Sequence, residues 1–170
     1  MSNVKWKQTG YITFDDIKAQ IPDEKYLEKK PVPIIECVEE IPCTPCYEIC
    51  PTKAITMKSL NDIPKLDPEK CTGCLLCAQV CPGLAIFPTH FHKEGFARVY
   101  IPYEFLPLPE VGEEVIVLNR EGKDVGKGRV FFVLPRERSR GDTPLVGVEV
   151  PRDIAFETRH IKVMRNENCL

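Results

Sequence analysis

The chain contains no uninterrupted apolar run of the roughly 18 residues that a membrane-spanning helix needs. It also lacks a surplus of either charge. Its 23 Lys and Arg stand against 25 Asp and Glu, so the strongly basic footprint required for nucleic acid is missing. The opening residues Met1-Ser2-Asn3-Val4-Lys5-Trp6-Lys7 do not form the charged, apolar and small-residue succession of a secretory signal. The expected compartment is therefore the cytoplasm, where clustered cysteines are read as metal ligands rather than cross-links.

Cysteine is what the sequence has in quantity, and eight of the nine fall in two blocks. The first is Cys37-x5-Cys43-x2-Cys46-x3-Cys50-Pro51 and the second Cys71-x2-Cys74-x2-Cys77-x3-Cys81-Pro82. The second block follows the run C-x2-C-x2-C-x3-C-P, in which three cysteines hold one 4Fe-4S cluster and the fourth ligates the other. Sliding the chain by 31 positions carries Cys43, Cys46, Cys50, Pro51, Ala54 and Ile55 onto Cys74, Cys77, Cys81, Pro82, Ala85 and Ile86, so the blocks are an internal repeat. The expected ligand sets cross between the halves. Cys37, Cys43, Cys46 and Cys81 belong to one cluster, and Cys71, Cys74, Cys77 and Cys50 to the other.

Cys71 projects onto Glu40, so the first cysteine of the first block has moved upstream to Cys37. Five intervening residues can loop out and still deliver a sulfur. The alternatives are a three-iron cluster without that corner, or ligation by Glu40. Pro51 and Pro82 remove a backbone donor and end the ligand turns, and Gly73 allows the backbone angles that aim amides at sulfur. In the first block Pro45, two residues after Cys43, is read as the counterpart of Gly73 and withholds an amide. Fewer donors to sulfur give the first cluster the lower expected potential. Zinc is the competing metal, since thiolates alone do not name it. Closed zinc sets of four nevertheless leave a third cysteine and a Cys-Pro superfluous in each block.

Residues 34 to about 88 resemble a bacterial-type dicluster ferredoxin, with Pro33-Ile34-Ile35-Glu36-Cys37 as the first strand and Cys81-Pro82-Gly83-Leu84-Ala85-Ile86-Phe87 leading into the last. These two phrases, with Val38-Glu39-Glu40-Ile41-Pro42-Cys43, are also similar to small ferredoxin-like subunits that accompany FAD-dependent amine or amino-acid dehydrogenases of the proline, hydroxyproline and sarcosine or opine type in anaerobic bacteria. The resemblance covers about a third of the chain. It implies an α+β core with pseudo-twofold symmetry and two short helices, and places FAD or FMN on a partner subunit rather than here. A core this small buries limited apolar area, so the clusters are expected to supply much of its stability.

The flanks distinguish a fixed subunit from a free carrier. Residues 1–33 are expected to form an N-terminal arm with a capping box at Thr13-x-x-Asp16 and a short helix after Pro22. The arm either binds a partner or folds back on its own chain. Trp6, Tyr11 and Phe14 suit either course. Residues 89–170 read as a small all-β domain, a barrel or meander, with strands at Phe96–Ile101, Glu114–Leu118, Val130–Leu134 and Leu145–Val150 and an extended stretch over Ala155–Val163. The tail has no glycine-rich phosphate loop and no Ser/His/Asp arrangement, which favours docking over chemistry. His90 and His92 are read as strand or hairpin residues, Arg136, Arg138 and Arg140 as a solvated loop, and Cys169 as an unused thiol.

Residues 34–88 hold four lysines and seven acids, so the cluster face should be acidic and meet a partner with a basic rim. The expected role is an iron-sulfur subunit passing single electrons between a flavoprotein dehydrogenase subunit and an external acceptor. The alternatives are a free ferredoxin-like carrier and a zinc-stapled interaction module.

Overall fold

The computed structural model describes residues 6–164, so Cys169 lies outside the described residues. Seven antiparallel strands form one sheet. They are β1 (Val32–Ile35), β4 (Ile86–Lys93), β5 (Phe96–Pro102), β6 (Glu114–Leu118), β7 (Asp124–Leu134), β8 (Leu145–Pro151) and β9 (His160–Val163), in the spatial order β1-β4-β5-β8-β7-β6-β9. Two further short strands, β2 (Ile55–Thr56) and β3 (Lys65–Leu66), pair separately. The tail departs from a simple meander, because β8 lies between β5 and β7 and β9 returns to β6. The β6–β7 turn is held by the Asn119 side chain, whose Oδ1 accepts from the amides of Glu121 and Lys123 at 3.0 Å each, while Gly122 adopts the positive φ of +76° that the turn requires.

The internal repeat extends into the pairing register. In the sheet, Ile35 faces Ile86 and Ile34 faces Phe87. In the small ribbon, Leu66 faces Ile55 and Lys65 faces Thr56. Moving the β1 residues forward and the β4 residues back by 31 positions converts one set into the other. The same shift relates the helices α4 (Pro45–Ile49) and α5 (Leu76–Val80), which pack on each other.

The boundary expected at 88/89 falls inside β4. On one side β4 pairs with β1, and on the other with β5 through Thr89↔Val99 and His90↔Arg98. The cause is in the side chains: Ile86, Phe87 and Phe91 are all buried, so the apolar run does not stop where the cysteine repeat stops. The tail is thus an extension of the sheet that begins beneath the cysteines.

Of the two courses open to the N-terminal segment, the described part folds back on its own chain. Its helices α1 (Trp6–Thr9), α2 (Phe14–Ile17) and α3 (Glu24–Leu27) are short, but Ile17 and Leu27 are fully buried in the same cluster as Val32, Val99, Val117 and Val148. Thr13 caps α2 as expected, its amide donating to Asp16 Oδ2 at 2.7 Å. The Phe14 ring lies 5.8 Å from that of Phe156, and Arg152 reaches across to Glu24 at 2.7 Å. Burying a Leu or Ile side chain stabilises by about 1.5–3 kcal/mol, so these two anchors hold a segment too short to be helical alone.

Candidate metal centre

The helices α4 and α5 are five residues each, and both end the same way. Cys50 follows α4 with φ −69° and ψ 109°, and Cys81 follows α5 with φ −72° and ψ 110°. Pro51 and Pro82 come next and cannot continue a helix. The extended caps turn each cysteine away from its own helix. The result is an exchange: Cys50 lines one small cavity together with Cys71, Cys74 and Cys77, while Cys81 lines another together with Cys37, Cys43 and Cys46.

Each crossing sulfur receives an amide. Ala54 donates to Cys50 Sγ at 3.2 Å and Ala85 donates to Cys81 Sγ at 3.4 Å, one hydrogen bond repeated 31 residues on. A third, from Gly73 to Cys71 Sγ at 3.4 Å, has no equivalent. Pro45 is not the reason. It begins α4, as Leu76 begins α5, and the residue 31 positions before Gly73 is Pro42, which also lacks an N–H. Gly73 has φ +72°, and a Cβ there would stand 2.9 Å from the Pro31 carbonyl oxygen, so both the conformation and the close approach require glycine.

The sulfurs sit in surroundings hostile to a lone thiolate. Burial pushes the Cys46 thiol up to about 11, with Cys81 and Cys43 adding to the effect. Burial likewise raises Cys77, Cys71 and Cys37. Cys50 goes the other way, because the amides of Ile55 and Ala54 and the Thr52 hydroxyl outweigh its burial. Four sulfurs around one apolar hole become stable thiolates only when a cationic centre is bound among them. Among the described residues, no three His, Cys, Asp or Glu side chains converge on a single ion position. Four cysteines around each cavity match a multi-iron group, whose corners each take one sulfur.

The two cavities differ in their charged neighbours. Glu39 and Asp62 line the first, and the Glu39 carboxylate is among the groups that raise Cys37. Beside the second, the Lys30 ammonium donates to the Cys71 carbonyl, and its charge opposes the upward effect of burial on Cys71. Glu40, the carboxylate alternative to Cys37, lines a neighbouring groove with Met57 and Lys58 instead of the cavity.

The remaining candidates lie away from both holes. His90 and His92 occupy alternate positions of β4, and His92 Nε2 meets Glu149 Oε2 at 2.8 Å. Arg136, Arg138 and Arg140 belong to a loop fastened on α5, where the Arg140 amide donates to Gln79 Oε1 at 3.0 Å. Glu36, one of the seven acids between residues 34 and 88, does not contribute to the acidic face expected there. It is buried, with Oε1 2.6 Å from Arg120 Nη2 and 2.6 Å from Arg159 Nε. Those partners are 84 and 123 residues away in sequence, and no local pattern announces them.

Residues 37–85 match the family model of the 4Fe-4S dicluster domain. The relatives agree. An uncharacterized polyferredoxin-like protein of Methanocaldococcus jannaschii is 33% identical over 93 residues, covering 45% of this chain and 55% of the relative. A selenate reductase subunit of Mesobacillus selenatarsenatis is 35% identical over 101 residues, covering 58% of this chain and 32% of the relative. Pyruvate synthase subunit PorD of Methanocaldococcus jannaschii is 39% identical over 54 residues, covering 32% of this chain and 62% of the relative. The chain thus spans about half the length of the first of these relatives, and a third of the selenate reductase subunit. No solved structure matches it. Residues 37–85 thus carry a 4Fe-4S dicluster domain, and no helix among the described residues is long and apolar enough to cross a membrane.

Proposed function

We propose that the chain is the electron-transfer subunit of a larger oxidoreductase, relaying single electrons between a flavin-bearing dehydrogenase partner and an external acceptor. The observation that carries this reading is the exchange of Cys50 and Cys81 between two cavities, each lined by four cysteines. The bound clusters supply one-electron chemistry, and two such centres suit a two-electron donor. The chain's own residues hold and tune them. Cys37, Cys43, Cys46 and Cys81 ligate the first, and Cys71, Cys74, Cys77 and Cys50 the second, in halves related by a pseudo-twofold axis. The amide of Gly73 and the Lys30 charge favour added negative charge at the second centre, so the first keeps the lower potential. The resemblance to amine-dehydrogenase small subunits and the naming of two relatives as enzyme subunits support a fixed place in a complex. The self-packed N-terminal segment supports the second reading, a free carrier.

The experiment is a pair of single replacements, Cys50→Ala and Cys81→Ala, in protein purified anaerobically from its own cells. Iron and sulfide content, with electron paramagnetic resonance of the reduced protein, reads which centre is disturbed. Cys50→Ala should alter the centre held by Cys71, Cys74 and Cys77, and Cys81→Ala the other. If each disturbs the cluster of its own block, the crossed assignment is wrong. Co-purification of a flavin-bearing chain supports the relay subunit, a lone chain with both clusters the free carrier.

A further inference from the structure

Among the described residues eight large hydrophobic side chains are exposed, and two of them, Ile41 at 48% and Leu60 at 57%, stand beside the first cysteine cavity. Ile41 lines that cavity with Cys43. Leu60 is tied to it through the backbone, its carbonyl accepting the Cys43 amide at 3.3 Å. None of the eight lines the second cavity. Two exposed aliphatic side chains gain nothing from water, and their place beside one cysteine set of two is the asymmetry to be explained.

Charge follows the same division. Glu39 and Asp62 line the first cavity, and Glu40 shares the adjoining groove with Asp62, opposed there by Lys58 and Lys65. Asp62 stays ionised, because the Ser59 hydroxyl and the amides of Lys58 and Ser59 hold its carboxyl below the usual range. The neighbourhood of the second cavity has Lys30 on the Cys71 carbonyl, Lys53 three residues after Cys50, and Lys70 next to Cys71, against Asp67 and Glu69. The balance is therefore acidic over the first site and basic beside the second.

We propose that the rim over the first cavity, with Ile41 and Leu60 set among Glu39, Glu40 and Asp62, is the docking face for an electron-transfer protein that presents an apolar contact ringed by Lys and Arg. This rests on the cluster-binding reading above and adds which of the two sites meets the partner. The apolar pair supplies the desolvated centre of the contact, and the carboxylates steer encounter and fix orientation. The electron then leaves or enters beside Cys43. One electron passes from the reduced protein to the oxidised partner, and no proton or bond changes hands.

The test uses the cluster-loaded chain, reduced anaerobically and mixed in a stopped-flow instrument with either a basic c-type cytochrome or ferricyanide. Iron and sulfide content is checked first, so that a failure of the cluster reading is seen separately as an absence of iron. With the cytochrome, replacing Glu39 and Glu40 together by Lys should lower the second-order rate at low salt by about tenfold and flatten its dependence on ionic strength. With ferricyanide the same protein should react faster than the wild type, which loss of clusters or of fold cannot produce. Leu60→Lys should slow the cytochrome reaction at all ionic strengths, and it carries the test alone if the double variant fails to load. Lys53→Glu, beside the second cavity, should change the cytochrome rate by less than about twofold. A larger effect from Lys53→Glu than from the Glu39/Glu40 replacement, or no effect of either Leu60→Lys or the Glu39/Glu40 replacement in loaded protein, overturns the assignment.

Discussion

Replacing Glu36 by Ala should be among the most damaging single changes outside the cysteines. Its carboxylate accepts from Arg120 Nη2 and Arg159 Nε at 2.6 Å each and from Arg120 Nε at 3.1 Å. The side chains of Glu36, Arg120 and Arg159 are 6%, 6% and 4% exposed. Burial drags the Arg159 guanidinium down to about 10, with Glu36 pulling in the opposite direction, and a guanidinium in a protein stays protonated at neutral pH. Without Glu36, Arg120 keeps Glu157 at 3.2 Å and the Phe156 carbonyl at 2.9 Å. Arg159 keeps backbone carbonyls and the Phe87 ring but no carboxylate within ion-pair distance. Breaking a buried pair on one side costs about 3–5 kcal/mol. For a chain of this size, each kcal/mol moves the thermal midpoint by about 2–4 °C, so a fall of roughly 6–20 °C is expected. The measurement is circular dichroism of the sheet on cluster-loaded protein under nitrogen. The double variant Glu36→Leu with Arg159→Leu removes the stranded cation and should recover at least half of the loss. A midpoint within about 3 °C of wild type for Glu36→Ala, or a double variant no better than the single one, would refute the reasoning.

Gly73→Ala should cost roughly 1–2 kcal/mol from its φ of +72° alone. The added methyl also meets Pro31, so the variant should purify with about four irons per chain rather than about eight; full iron content would show that the N-terminal segment yields. His90, His92 and His160 all titrate below the ordinary 6.5. Burial is the first cause in each, with His92 adding for His90 and Arg98 for His92. The unfolded chain therefore binds more protons than the folded one just below 6.5, and stability should fall as pH drops through that value and level off below the folded pKa values. Urea midpoints measured between about pH 8 and 5.5 should show this fall, and replacing the three histidines by Gln should flatten it. A wild-type midpoint that rises on acidification contradicts the linkage.

The cysteine centre was legible because its signal is local and doubled. The spacing between ligands is read along the chain, and the shift of 31 fixes which residues correspond. The run C-x2-C-x2-C-x3-C-P, whose fourth cysteine serves the other cluster, led to the crossed ligand sets that are proposed above. Pro45 shows where spacing alone misleads. Counting two residues on from Cys43 and from Cys71 pairs it with Gly73, but Cys43 corresponds to Cys74, and the helices and the shift of 31 pair Gly73 with Pro42. Most tail strands were visible as β-branched and aromatic runs, but their order was not, since β8 between β5 and β7 depends on partners far apart in sequence. The return of the N-terminal segment was undecided for the same reason. Ile17 and Leu27 look like two apolar residues in a polar stretch until the sheet that covers them exists. The Glu36 network is the extreme case, since nothing near Glu36 distinguishes it from Glu39 or Glu40.

The uninterrupted course of β4 limits how the chain can be divided. A protein ended at residue 88 would keep every cysteine of both cavities, yet it would lose the last five residues of that strand and the whole of β5. The remaining edge would carry unpaired amides and carbonyls flanked by Ile86 and Phe87, an open template on which other molecules can add strands. Fragments cut at that point should therefore aggregate, for want of the neighbour that normally closes that edge. In this chain the electron-carrying unit is not separable from its extension in the way that a linker-joined module would be.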